Sequence, residues 1–204
     1  MHRFPMDRVL FVYACMRGEG QSRTLRLCQR FLSEYTALRP QAVVHCRDLT
    51  GAELPVMTAE RSRQRDELAA AGADHPLLTP AREMAYSDLV VVGAPYWDLS
   101  FPAALKVYLE WSSVLGITFR YAEDGRQVGL SRARALVYLT TAGGPVEGQN
   151  YGFDYLRGLA GMFGIPDSRC VAAENLDVWG TDVEQVLRQA EERADALARE
   201  LAGF

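Results

Sequence analysis

Apolar positions along the chain follow two alternating rhythms, short unbroken runs and longer stretches spaced by three and four residues. The runs stand at 8–14 (Val9-Leu10-Phe11-Val12-Tyr13 at its centre), 42–46, 89–92, 133–141 (centred on Ala135-Leu136-Val137-Tyr138-Leu139) and 168–173. Continuous aliphatic runs of this length predict strands buried on both faces of a parallel sheet. Between them the helical spacing recurs, first over Leu25, Leu27, Cys28, Phe31, Leu32 and Tyr35 until Pro40 forbids continuation. A helix over 79–86 follows, with Thr79 as its cap and Pro80 at the first helical position. The next begins after Pro102 with Leu105, Leu109, Trp111 and Val114; another carries Phe153, Leu156, Leu159, Ala160 and Phe163, closed by Gly164. A long terminal helix is marked by Val183, Val186, Leu187, Ala190, Ala194, Leu197 and Leu201. The charged run 60–67 reads as a solvated helix or loop, and 116–132 as an ordered excursion with a turn at Glu123-Asp124-Gly125. Five βα units in residues 1–204 predict one α/β domain, a doubly wound five-stranded parallel sheet with right-handed crossovers and helices on both faces.

In such a sheet, ligands bind outside the carboxyl ends of the strands where the winding reverses. Three loops fall there: 14–24, 93–101 and 140–151. In the first, Gln21, Ser22, Arg23 and Thr24 open a helix, whose free N–H groups and dipole favour an anion. Two readings of Ser22 and Thr24 stand side by side, helix capping and phosphate binding. Gly18-Glu19-Gly20 has neither the Gly-Lys-Ser/Thr of a triphosphate loop nor a third glycine at Arg23 for a dinucleotide fingerprint. In the second loop, Tyr96 and Trp97 suit a planar ring whose polar edge would meet backbone groups of residues 95–98, or else core and interface packing; Asp98 reads as a turn or cap. In the third, the Gly143-Gly144 pair permits close approach of backbone to ligand.

Composition narrows the chemistry. A formal net charge of −4 with dispersed Lys and Arg leaves no basic patch for nucleic acid. No run is long enough to span a bilayer, and nothing at the start has signal-peptide character. Cys15, Cys28, Cys46 and Cys170 lie far apart without paired spacing, which points to free thiols in a reducing compartment. His2, His45 and His75 have no ligand partner at metal spacing, so no metal site is expected.

Three segments in register then carry a resemblance: Ala94-Pro95-Tyr96-Trp97-Asp98-Leu99-Ser100-Phe101-Pro102-Ala103 with Leu105-Lys106, Gly116-Ile117-Thr118-Phe119-Arg120-Tyr121, and Thr140-Thr141-Ala142-Gly143-Gly144. Together they resemble the flavodoxin-like NAD(P)H:quinone oxidoreductases and FMN-dependent NADH-azoreductases over almost the whole chain. The resemblance implies strand order 2-1-3-4-5, a cytoplasmic homodimer with flavin at the subunit interface, and FMN in preference to FAD. It also implies ping-pong, two-electron reduction of quinone, azo or nitro-aromatic acceptors by NADH or NADPH through the flavin N5. Residue by residue it assigns the cofactor to Cys15, Gln21, Ser22, Arg23, Thr24, Pro95, Tyr96, Trp97, Asp98, Thr141, Ala142, Gly143 and Gly144. Catalytic positions are Tyr96, Trp97 and Tyr151, with solvent as an equal source of any proton. Phe119 and Tyr121 either close the substrate pocket, from this chain or a partner, or pack a dimer interface. Arg23 stands where azoreductases carry asparagine, Ala14-Cys15 where they carry serine, and Thr141-Ala142 where they carry Ser-Arg. A one-electron flavodoxin carrier and a flavin-free regulatory protein share the fold, but carriers lack the 116–132 excursion.

Overall fold

The computed structural model describes residues 7–18, 20–51 and 54–203; His2 and Glu19 lie outside them. Five strands, β1 (Arg8–Tyr13), β2 (Val43–Asp48), β3 (Leu89–Gly93), β6 (Ala135–Thr141) and β7 (Asp167–Ala173), form a sheet of order β2-β1-β3-β6-β7. All four pairings are parallel, with Phe11 opposite Val91 and Val91 opposite Val137 in the middle. Counting only the strands of this sheet, the order is the 2-1-3-4-5 expected from the resemblance.

Strand alternation divides the core into two layers. On one face Val9, Phe11, Leu89, Val91, Val137 and Leu139 pack against α1 (Arg23–Leu38) and α6 (Val183–Ala202). On the other, Leu10, Val12, Val90, Val92, Leu136 and Tyr138 meet α3 (Thr79–Tyr86), α4 (Ala103–Ser112) and α5 (Tyr151–Phe163). Because both faces are covered, the central strands read as unbroken apolar runs rather than as an alternation.

The differences from the sequence reading have local causes. The 60–67 run is part of α2 (Ala59–Ala70), which buries no residue and so has no apolar period; the Thr58 side chain caps it by accepting from Arg61 N–H at 3.3 Å. Thr79 is not the cap of α3. A 3₁₀ turn, Pro76–Leu78, runs directly into it, and His75 Nδ1 starts that turn by accepting Leu77 N–H at 3.2 Å. The 116–132 excursion contains an antiparallel hairpin of β4 (Phe119–Tyr121) and β5 (Gln127–Gly129). It packs backbone to backbone on the end of α5: a Cβ on Gly129 would lie 2.0 Å from Gly164 N. Gly164 itself closes α5 in the left-handed conformation, φ 82°.

Candidate active site

β1 ends at Tyr13, and Ala14 N–H donates to Gly93 O at 2.8 Å, tying the first loop to the end of β3. Gly18 (φ 71°) and Gly20 (φ 81°) turn the chain back through conformations open to glycine, and Ser22 then caps α1 by accepting Leu25 N–H at 3.1 Å. That bond uses an oxygen lone pair of Ser22, and its hydroxyl proton is directed to the Cys15 sulfur, from which a ligand would have to draw it. The N–H groups of Arg23 and Thr24 have no hydrogen-bond partner among the described residues. Thr24 and Thr141 hydroxyls bond each other at 2.6 Å, joining the first loop to the third.

The second loop is a tight hairpin. Trp97 N–H donates to Ser100 O at 3.1 Å and Ser100 N–H to Trp97 O at 2.7 Å, with Asp98 (φ 48°) and Leu99 (φ 66°) both left-handed between them. This is the backbone of a primed two-residue turn, which ordinarily calls for Asn-Gly or Asp-Gly. Leucine there is strained by ~1–2 kcal/mol. The turn thrusts Trp97 outward, 47% exposed. Tyr96 is anchored twice: its N–H donates to Thr141 O and its hydroxyl to Gln149 O, each at 2.9 Å. The backbone donors of residues 96 and 97 are therefore taken within the chain, contrary to the expectation that they meet a ring edge.

The third loop is zipped to the segment after β7. Ala142, Gly143 and Gly144 carbonyls accept from Leu176, Asp177 and Asn175 N–H at 3.1, 3.0 and 3.1 Å. Gly143 and Gly144 N–H have no partner among the described residues. A Cβ on Gly143 would meet Asp177 Oδ2 at 2.5 Å, so glycine is what admits Asp177 to the site. Asp177 in turn pairs with Arg23 Nη1 at 3.0 Å.

These loops enclose a cleft of about 170 Å³ lined by Met16, Arg17, Ser22, Arg23, Thr24, Pro95, Tyr96, Trp97, Thr141, Ala142, Gly143, Leu176 and Asp177. Nine of these were expected from sequence. Met16, Arg17, Leu176 and Asp177 were not; the signal for the last two was the rule already applied to the other strands, since they follow the carboxyl end of β7.

Several expected residues lie elsewhere. Cys15 is 1% exposed, beneath the first loop, with its thiol directed to Gly93 O at 3.7 Å. A hydrogen bond with Cys28, joined by one from Ser22, holds the Cys15 thiol below its ordinary value, while burial pushes Cys28 well above. Gln21 lines the neighbouring groove with Arg26 and Glu184. Asp98 and Gly144 each follow a cleft-lining residue in the chain without lining the cleft themselves, and Tyr151 is exposed at the first turn of α5. Phe119 and Tyr121 are at the far end of the sheet: α4 runs away from the cleft, and the segment after the hairpin is bonded to Phe163 O and Ala85 O at the other ends of α5 and α3. They cannot line the cleft of their own chain.

The donor set defines what fits. Unpaired N–H groups at a helix start, a hydroxyl and two arginines (Arg17, Arg23) suit a phosphate. The outward indole of Trp97 and the glycine N–H groups suit a flat ring with polar edges. A flavin mononucleotide has both halves.

A family model described as flavodoxin-like fold matches residues 7–198. The chain belongs to that family. Among its relatives, an FMN-dependent NADH:quinone oxidoreductase of Clostridium acetobutylicum is 38% identical over 200 residues, covering 96% of this chain and 100% of the relative. One of Clostridium beijerinckii is 35% identical over 95% of this chain and 99% of its own length. Among solved structures, an azoreductase from Bacillus anthracis superposes with a TM-score of 0.83 at 26% identity, covering 96% of this chain and 100% of that one. No helix among the described residues is long and apolar enough to cross a membrane.

Proposed function

We propose that this chain is an FMN-dependent oxidoreductase that passes two electrons from NADH to a quinone, azo or nitro-aromatic acceptor. The observation that carries this reading is the set of unpaired N–H donors at one cleft, those of Arg23 and Thr24 at the start of α1 and that of Gly143 in the third loop, with Gly144 next to it. The names of the relatives supply the cofactor and the reductant. When bound, FMN supplies the chemistry that accepts an electron pair from one substrate and gives it to the next.

The residues divide that work by position. Ser22, Arg23, Thr24 and Arg17 hold the phosphate, and Asp177 fixes the Arg23 guanidinium for it. Cys15 and Gln21 shape and flank that loop. Pro95, Tyr96 and Trp97 form the wall against the ring. With the N–H groups of Tyr96 and Trp97 taken, that of Gly143 provides the dipole that stabilises negative charge on a ring edge, and Asp98 and Gly144 continue the two loops beside it. Thr141 and Ala142 carry Gly143 into place. Tyr96 spends its hydroxyl on Gln149 O, so protons for the acceptor come from solvent, or from Tyr151 if its exposed side chain swings to the cleft.

The working unit is a homodimer. A cleft of about 170 Å³ is below the ~300–1,000 Å³ usual for ligand pockets, so a further surface must complete it. Trp97 and Leu99 leave apolar area uncovered beside it. Phe119 and Tyr121, remote from their own cleft, are suited to serve that of a second copy. A cytoplasmic location accords with four free thiols.

The test is reconstitution. Purified protein should take up one FMN per chain and oxidise NADH only when a quinone or azo dye is supplied. Trp97→Ala should keep the fold, because the side chain is half exposed, while lowering FMN affinity or turnover about fivefold, as expected for one aromatic contact of ~1 kcal/mol. A protein that binds no flavin would defeat the proposal.

A further inference from the structure

Trp179 is 98% exposed, more than any other large apolar side chain among the described residues, and it sits on the segment that leads from the cleft into α6. Asp177 lines the cleft, and two residues of chain keep the Trp179 Cα within roughly 7 Å of the Asp177 Cα. The segment is held by its own backbone. Beyond the bonds of Leu176 and Asp177 to the third loop, Val178 N–H donates to Asn175 O at 3.2 Å, with Asn175 left-handed (φ 62°). Thr181 N–H then donates to Val178 O at 3.2 Å around Gly180 (φ 84°). Trp179 is thus the second residue of a β-turn, a position that favours proline and makes no use of an indole. Asp182 starts α6 by accepting Gln185 N–H at 3.0 Å, so the turn is fixed at both ends and keeps the indole at the rim, out of the core.

We propose that Trp179 stacks on the adenine of NADH, an inference that rests on the function proposed above. The cleft of about 170 Å³ is filled by the flavin assigned to it, so a dinucleotide whose nicotinamide meets the ring leaves its adenosine half on the rim. There the indole offers the flat face on which any purine stacks. Charge selects which dinucleotide is held. Residues 174–184 include Glu174, Asp177, Asp182 and Glu184 and no Lys or Arg, so a 2′-phosphate on the adenosine ribose is repelled. The pyrophosphate falls on the cleft side, where Arg17 and Arg23 stand. A second copy of the chain fits this rim less well. Its exposed apolar surface is Trp179 and the half-exposed Val178, and the core of a protein interface is depleted of the carboxylates that flank them.

The experiment follows anaerobic flavin bleaching in FMN-loaded wild type and Trp179→Ala, with NADH and with reduced nicotinamide mononucleotide, which lacks the adenosine. For NADH, half-saturation in Trp179→Ala should need about fivefold more reductant at the same limiting rate, the low end of what a base–aromatic stack contributes. Reduced nicotinamide mononucleotide should not distinguish the two proteins, and Trp179→Phe should recover most of the NADH affinity. Calorimetric titration with ADP-ribose, which carries the adenosine without the nicotinamide, should show the same difference in the absence of turnover. A wild-type flavin that NADH leaves oxidised would defeat the function and this inference with it. Bleaching with equal half-saturation and equal ADP-ribose affinity in the two proteins would overturn the stacking role alone, and a shift in oligomeric state on top of that equality would give Trp179 to a second copy.

Discussion

The two ends of the central sheet treat their polar groups in opposite ways. At the amino ends of the strands, Asp7 is buried and bonded from several sides: Tyr35 Oη donates to it at 2.8 Å, Arg134 Nη1 lies at 3.3 Å and Arg39 Nη1 at 3.7 Å. Arg39 Nε also donates to Ala202 O at 2.7 Å, so one cluster clamps the start of β1, the end of α1, the start of β6 and the end of α6. At the carboxyl ends, four backbone N–H groups lack partners among the described residues, two consecutive non-glycine residues hold positive φ, and an indole faces solvent. One end satisfies its donors internally, Arg134 Nε excepted among the described residues, and stabilises the fold; the other withholds donors for a ligand and tolerates strain to aim them.

Removing the hub of the closed end should have the largest effect. Asp7→Ala leaves two arginines beside one another without their carboxylate, and loss of one partner of a buried ion pair costs about 3–5 kcal/mol. Chemical denaturation should show that loss, with FMN affinity of the folded fraction unchanged. At the open end the order reverses. Gly143→Ala drives a methyl into Asp177, releases Arg23, and should weaken FMN binding about tenfold, the equivalent of ~1.4 kcal/mol, with little change in the unfolding midpoint of the apoprotein.

The closed end should also give way to alkali. Burial, with the bond to Asp7, raises the Tyr35 hydroxyl from its ordinary 10.0 to about 12. The fold therefore favours the protonated phenol, a contribution complete below pH 10 and lost as pH rises toward 12. Burial holds the Cys170 thiol up to about 12 as well, so its contribution fades in the same direction, beginning from its ordinary 9.0. Unfolding free energy measured across that range should fall with pH, and Tyr35→Phe should flatten part of the slope. The smallest effect belongs to the strained turn. Leu99→Gly relieves a left-handed leucine and should raise stability by about 1 kcal/mol, read as a small increase in Tm.

The same contrast explains what was legible in the sequence. The sheet announced itself because Leu89-Val90-Val91-Val92 and its counterparts are buried on both faces, and their order followed from the alternation with helices. Helix α2 carries no buried residue and left no apolar period. The β4–β5 hairpin has strands of three residues each, too short for an alternation to register. In the cleft, Ser22 to Thr24 and Pro95 to Trp97 were readable from strand-end and helix-start rules. Asp177 was not singled out, because what brings it in is the backbone pairing of residues 142–144 with 175–177 and the missing Cβ of Gly143. The inward turn of Tyr96 and Trp97 N–H groups was also hidden: Asp98-Leu99 is not a sequence that local preference would fold into a primed turn, and Ser100 and Thr141 impose it from outside.

The most direct test of the central claim is anaerobic rapid mixing of the FMN-loaded protein with NADH, followed by a quinone. Absorbance of the oxidised flavin should be lost on the first addition and return on the second, at rates compatible with turnover. A flavin that stays oxidised in the presence of NADH would contradict it.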